Sequence, residues 1–289
     1  MAEDAKWPRA HSLISNKQSA VGLIDIPAHK TSISETSAHL TPKAIREALK
    51  RYSTFSYSAY EEITTTLQDL GEIEDPDSNE QTTIESIASA DKTLTIALGG
   101  DNSITYAAAL GVFGDDLETA GLITFDAHHD LRDGISNGSP VRRLIEAGLN
   151  PKNIVQVGIN DFSNSHEYAK LAKDLGISVI SRSTLEHIGI QEACNLSLGV
   201  AAGPGGKVFV DLDADVCDRA FVPACPAAAP GGLSAYQLRQ AARLLAGHHQ
   251  VRGMDITEID ASKDSDDQRT VRLGALLVLE MLSGFQLRA

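Results

Sequence analysis

Asp126-Ala127-His128-His129-Asp130 and Asp211-Leu212-Asp213-Ala214-Asp215 hold the residue types that bind hard cations, and each closes an apolar run. Gly121-Leu122-Ile123-Thr124-Phe125 leads into the first cluster and Lys207-Val208-Phe209-Val210 into the second. Both runs read as buried parallel strands, short and rich in branched or aromatic residues. Strand alternation then puts Asp126, His128 and Asp130 on one face, with His129 on the other, and does the same for Asp211, Asp213 and Asp215. Carboxylates crowded at the ends of buried strands repel one another and lose their hydration unless cations neutralise them. The clusters therefore predict a site for one divalent cation or a pair. Carboxylates with an imidazole suit Mn²⁺ or Mg²⁺ better than the thiolate sets of structural zinc do.

Two weaker motifs fall at similar places. Gly99-Gly100-Asp101-Asn102-Ser103 follows the apolar run Leu94 to Leu98 and precedes a helical stretch from Ile104. Its ordinary reading is a tight strand-to-helix turn, with glycines for unusual φ and a polar cap. Glu258 follows the strand Val251 to Ile256 and would ordinarily be a solvated strand-end carboxylate. Asp218 is expected to fix the loop after the second cluster.

These residues need a frame that brings strand ends together. Strands are expected at Ala20 to Ile26, Thr93 to Leu98, Ile154 to Ile159, Ile177 to Ile180 and Val251 to Ile256, besides the two above. Helices are expected from Thr41-Pro42, with a cap residue and proline at the first position, from about Thr82, over Ser165 to Leu175, and over Thr270 to Leu282. Ser234 and Gln237 form a capping box that opens another. Leu70 to Gln81 reads as an acidic surface loop. Strand and helix alternate throughout without a Pro/Ser/Gly linker. That predicts one domain over residues 1–289, a doubly wound, mainly parallel sheet between two helical layers, with 1–18 a peripheral extension. Ligands in such sheets gather at the carboxyl ends of the strands, where the acidic clusters fall.

The net charge of −14 argues against nucleic acid or an anionic membrane as partner. Three cysteines, Cys194, Cys217 and Cys225, form no CxxC pair and read as reduced buried thiols. No stretch approaches a membrane span and Met1 to Ala10 lacks an apolar signal core, so a cytoplasmic location is expected.

GGDNS, FDAHHD, DLDADVCDRAFVPACPAAAPGGLS and GMDITEID occur in the order and rough spacing of the arginase/agmatinase/formimidoylglutamase family, the ureohydrolases. The resemblance runs from about Val21 to Leu282. DAHHDLR followed by Ser136-Asn137-Gly138-Ser139-Pro140 is similar to the formimidoylglutamase branch in particular. The resemblance implies an α/β/α sandwich, a homo-oligomer (trimer or hexamer), and two Mn²⁺ per subunit. It places Asp126 and Asp213 between the metals, Asp130 on one, and His128 and Asp215 on the other. Glu258 then pairs with the cationic amidine or guanidine, and Asp130 carries a proton to the departing amine.

Three positions depart from the family pattern. Asn102 stands where a histidine ligand is usual, so that metal is expected to be held weakly or through water. Asn137 stands where arginases and agmatinases carry histidine, and an amide cannot shuttle protons near neutral pH. Asp211 replaces a small serine, as a neighbour of the site or as extra negative charge at the metals.

Arg132 sets the substrate expectation. Its guanidinium suits a carboxylate, as in N-formimino-L-glutamate, and would repel the ammonium of agmatine. Arg142 and Arg143 are further candidates. The expected reaction is hydrolysis of N-formimino-L-glutamate to L-glutamate and formamide. An agmatinase or guanidino-acid ureohydrolase would instead release urea, and a catalytically idle homologue would hold one metal or none.

Overall fold

The computed structural model describes residues 4 and 6–288. Its strands are β1 (Ile14–Ser15), β2 (Val21–Ile26), β3 (Phe55–Ser56), β4 (Glu61–Glu62), β5 (Leu67–Glu72), β6 (Leu94–Gly99), β7 (Gly121–Phe125), β8 (Ile154–Ile159), β9 (Ser178–Ser181), β10 (Val208–Leu212) and β11 (Val251–Ile256). Its helices are α1 (Thr41–Ala48), α2 (Glu80–Ala90), α3 (Ile104–Phe113), α4 (Pro140–Ala147), α5 (His166–Leu175), α6 (Arg182–Ala201), α7 (Ala235–Ala246) and α8 (Arg269–Gln286).

Nine strands form one sheet in the order β1-β5-β2-β6-β11-β10-β7-β8-β9. Every neighbouring pair in it is parallel. Strands β2, β6, β7, β8 and β10 are buried at every residue, so their apolar runs lack the alternation of a half-exposed strand. Two cores flank the sheet. Helices α1, α6, α7 and α8 cover one face and α2, α3, α4 and α5 the other. The expected three-layer sandwich is the observed one.

Local signals set several boundaries. Ser234 and Gln237 exchange the two hydrogen bonds of a capping box at α7, and Ser165 caps α5 through Tyr168 N. Thr41 behaves differently from the cap expected of it. It is the first residue of α1, and its hydroxyl donates to Ile259 O, tying the helix to the segment after β11.

Two expectations are corrected. The first residues of the expected acidic loop, Leu70 to Glu72, belong to strand β5, whose polar side chains are tolerated because only the two-residue β1 lies beyond it. The N-terminal segment is docked, with Ala10 and Leu13 buried and Ile14 paired with Leu67; residues 1–3 and 5 lie outside the described residues. Helix α6 carries no clear mark in the sequence: Gly189, at φ 77°, joins two helical pieces and breaks the periodicity that would mark one long helix.

Candidate metal centre

The centre sits at the carboxyl ends of four adjacent strands, β6, β11, β10 and β7. Backbone pairing continues just past their ends: Asp213 N donates to Phe125 O, Thr257 N to Leu212 O, and Glu258 N to Gly100 O, at 2.9–3.2 Å. Those bonds hold the GGDNS, TE, DAD and DAHHD segments against one another.

Gly100 permits the close approach of the segment after β2. A β-carbon there would fall 1.9 Å from Ala28 O, inside any tolerable contact. Gly100→Ala is expected to cost more than about 3 kcal/mol of stability, read as a fall in the urea midpoint. An unchanged midpoint would show that the β2–β6 junction can open without penalty.

Asp126, His128 and Asp215 each present a donor atom, all within 4.8 Å of one another. His128 Nδ1 lies 2.8 Å from Asp215 Oδ2 and 3.4 Å from Asp126 Oδ1. Burial works against the imidazolium, but the two carboxylates outweigh it and push His128 up to about 12. Burial, then repulsion from Asp215, pushes Asp126 up to about 7. Asp130 and Asp213 lie well above the usual carboxylate range, first through burial and then through Asp126 and Asp215 respectively. Burial opposes ionisation of Asp215 too, but its bond to His128 holds it below that range. Four carboxylates at 1–7 % exposure with a single imidazole between them make a cluster whose charge a divalent cation would neutralise, so the donor set fits one.

Convergence does not come from strand alternation. Strand β7 ends at Phe125, and Asp130 is reached through a loop that holds it at φ 53°. Glu258 is at φ 61°. Non-glycine residues rarely sit in that left-handed region, so the surrounding bonds hold both carboxylates there against the backbone's preference. Asp215 lies on a 3₁₀ turn, Ala214–Val216.

Asp211 does not line the cavity. Its Oδ2 and Asp255 Oδ1 are both buried without a hydrogen-bond partner, and one proton held between the two carboxyls would satisfy them. Burial, then Asp255, raises Asp211 well above the usual range, and burial pushes Asp255 up to about 7. Asp211 therefore stands behind the centre, and of the second cluster Asp213 and Asp215 reach the cavity, through the turn after β10 rather than by strand alternation. Asp255, Thr105 and Thr257 escape a reading of the sequence, because nothing local marks them as partners.

The orientation of Asn102 bears on how it could serve a metal. Its Oδ1 accepts from the hydroxyls of Thr105 (2.8 Å) and Thr257 (3.1 Å), while Nδ2 donates to Asp130 Oδ2 at 2.6 Å. The group turned toward Asp130 is a donor without a lone pair, so direct ligation by the amide oxygen does not fit this orientation.

A cavity of about 350 Å³ opens beside these residues, lined by His128, Asp130, Asp213, Asp215 and Glu258 with Arg132, Asn137 and Tyr168 among others. Glu258 Oε1 accepts from Asn102 N at 2.7 Å and Asn137 Nδ2 at 2.9 Å. Burial nonetheless pushes it up to about 8. Asn137 Oδ1 in turn accepts from Ile33 N, so this amide orients Glu258. His129 also lines the cavity. Its Nδ1 meets Gln156 Oε1 at 2.6 Å, and Gln156 Nε2 donates to His129 O. The glutamine oxygen is thus the acceptor and Nδ1 carries the proton, which leaves Nε2 a lone pair.

Of the three candidate arginines, Arg132 alone lines the cavity. Arg142 pairs with Asp133 and Glu146; Arg143 pairs with Glu80 and lies over the Tyr106 ring. Asp218 accepts from Ala220 N and Gly231 N and fixes its loop as expected. All three cysteines are buried and free.

A parallel α/β/α sandwich with buried carboxylates and an imidazole converging on its central strand ends defines a doubly wound α/β protein whose site has a donor set suited to a divalent cation. A family model described as the arginase family matches residues 19–284, and the chain belongs to that family. It is 35% identical over 279 residues to a formimidoylglutamase of Halalkalibacterium halodurans, covering 91% of this chain and 86% of that one. The crystal structure of formimidoylglutamase from Bacillus subtilis superposes with a TM-score of 0.93 at 31% identity, covering 100% of this chain and 95% of that chain. Trypanosoma cruzi formiminoglutamase, solved with Mn²⁺, shares the fold at 20% identity, a TM-score of 0.90, and 98% and 100% coverage.

Proposed function

We propose that this protein hydrolyses N-formimino-L-glutamate to L-glutamate and formamide with two Mn²⁺ per subunit. Arg132 at the cavity that holds the carboxylate cluster carries the reading, since it gives an amidine with carboxylates a place to bind. The relatives named formimidoylglutamase, at 35% and 33% identity, point the same way. Asp126 and Asp213 would lie between the metals, with His128 and Asp215 on one and Asp130 on the other; a water would fill the place Asn102 leaves.

When bound, the cations acidify a water so that it serves as the nucleophile near neutral pH. Glu258 holds the cationic nitrogen of the amidine, kept in place by Asn137 and Asn102 N. Asp130 Oδ2 is engaged by Asn102, which leaves Oδ1 to take the proton lost by water. That proton passes to the α-nitrogen of glutamate as its bond to the formimino carbon breaks, and formamide keeps the second nitrogen. We further assign the protein to the cytoplasm and to a trimer or hexamer of single-domain subunits; none of its described helices is long and apolar enough to cross a membrane.

The test is product analysis with purified, manganese-loaded protein. Formamide release from N-formimino-L-glutamate supports the assignment. Urea release from a guanidino acid, with no turnover of the formimino compound, rejects it in favour of the second reading, whose substrate also bears a carboxylate for Arg132. Arg132→Gln is expected to raise KM about 10–100-fold, the worth of a charged hydrogen bond, with little change in kcat. A fall in kcat at unchanged KM would remove Arg132 from substrate binding.

A further inference from the structure

Lys92, Lys207 and Arg252 stand at the amino ends of β6, β10 and β11, three neighbouring strands, at the end of the sheet opposite the metal centre. They line a pocket of about 200 Å³ together with Thr95, Asp91 and Gly114. In a chain of net charge −14 such a gathering is unusual.

Their hydrogen bonds go to neutral acceptors. Lys92 Nζ donates to Ser19 O and Gln68 Oε1, Lys207 Nζ to Val112 O and Phe113 O, and Arg252 Nη2 to Lys92 O. Arg252 Nε is buried with no partner, and so is Nη1 of the neighbouring Arg288. Burial, then the nearby Arg252, lowers Arg288 to about 10.

Part of that charge has a structural use. Helix α3 ends at this pocket, and Lys207 caps its last carbonyls; α2 ends there too, followed by Asp91. A helix C-terminus carries roughly half a negative charge, so two ends and Asp91 offset roughly two of the three positive charges that line the pocket. About one remains without a counter-charge among the described lining residues.

We propose that this pocket binds a small, doubly charged oxyanion of the phosphate or sulfate class. The anion would lie between the Lys92 and Lys207 ammonium groups and the Arg252 guanidinium. The site is independent of the hydrolytic reading, since it shares no residue with the metal centre.

Calorimetric titration of sulfate into the intact manganese-loaded protein, at ionic strength held constant with chloride, tests it. The expected result is saturable binding with a rise in Tm, weakened at least about tenfold in Arg252→Gln, retained in Arg252→Lys, and unaffected by Arg132→Gln. Lys207→Gln should weaken it likewise. Should Arg252→Gln fail to fold, Lys92→Gln takes its place. Inorganic phosphate and a nucleoside monophosphate, titrated into metal-free protein, distinguish a free anion from a phosphate group on a larger molecule; saturation by either supports the site. Binding that never saturates overturns the proposal. So does saturable binding that survives Arg252→Gln and Lys207→Gln together, or is lost in Arg132→Gln, because the anion then sits elsewhere.

Discussion

Asp130→Asn is expected to lower kcat by about 10²–10⁴-fold, the usual contribution of a positioned proton carrier. The metal-free protein should at the same time become more stable. Asp130 is buried at 7 % exposure beside Asp126, which makes its ionised form costly. An asparagine there can keep its oxygen toward Asn102 Nδ2 and turn its own NH₂ toward Asp126, replacing repulsion with a hydrogen bond. Relief of about 1–3 kcal/mol is expected, in line with other buried charges replaced by neutral groups of similar shape. Urea midpoints in the presence of EDTA and steady-state kinetics with manganese measure the two halves. A drop in kcat of less than about tenfold would take proton transfer away from Asp130. A lower metal-free midpoint would mean that its charge is not a burden on the fold.

The second large effect is the pH dependence of the metal-free protein. Asp126, pushed to about 7, and Glu258, pushed to about 8, hold their protons more tightly folded than unfolded, and Asp130 and Asp213 behave the same way. Between about pH 4 and pH 8 the folded state therefore binds more protons than the unfolded chain does. The stability these groups give is fully present below about pH 4 and is lost as pH rises through their folded values. Asp215, held low by His128, works in the opposite direction, but it is one group against four. A tenfold difference in proton affinity between the folded and unfolded chain is worth about 1.4 kcal/mol, so the metal-free protein should weaken by a few kcal/mol from pH 5 to pH 8. Cations compete with those protons, and metal affinity should rise with pH as His128 and the carboxylates release them. The gap between loaded and metal-free Tm should accordingly widen from pH 6 to pH 8. Thermal melts with EDTA or manganese read this out. A metal-free Tm that climbs across the same interval would show that the carboxylates are not crowded enough to need cations.

Much of the frame is legible in the sequence because buried parallel strands are apolar at every position and caps are local. Val21–Ile26, Gly121–Phe125 and Ile154–Ile159 announce themselves in that way, as does the Ser234 box. Strand β5 is not legible, since a place next to the edge, covered by the two-residue β1 alone, relaxes the hydrophobic requirement that marks a strand. Helix α6 is obscured by Gly189, whose positive φ resets the face on which its apolar residues fall.

In the centre, sequence alone determined the residue types. Acidic side chains at strand ends suit a divalent cation, and the motifs are those of the arginase family. The tertiary structure decided which side chains meet. Asp211 and Asp213 are two residues apart, yet one pairs with Asp255 behind the sheet end and the other lines the cavity. Asn102 turns its NH₂ rather than its oxygen to Asp130 because two threonine hydroxyls, one on α3 and one after β11, claim the oxygen. Arg132, Arg142 and Arg143 look alike in sequence and are sorted by whether a carboxylate comes within reach. Spacing along a chain fixes direction only while the backbone stays regular. Where a strand ends and a loop begins, partners from distant segments compete for each polar group, and the fold alone settles which of them is near.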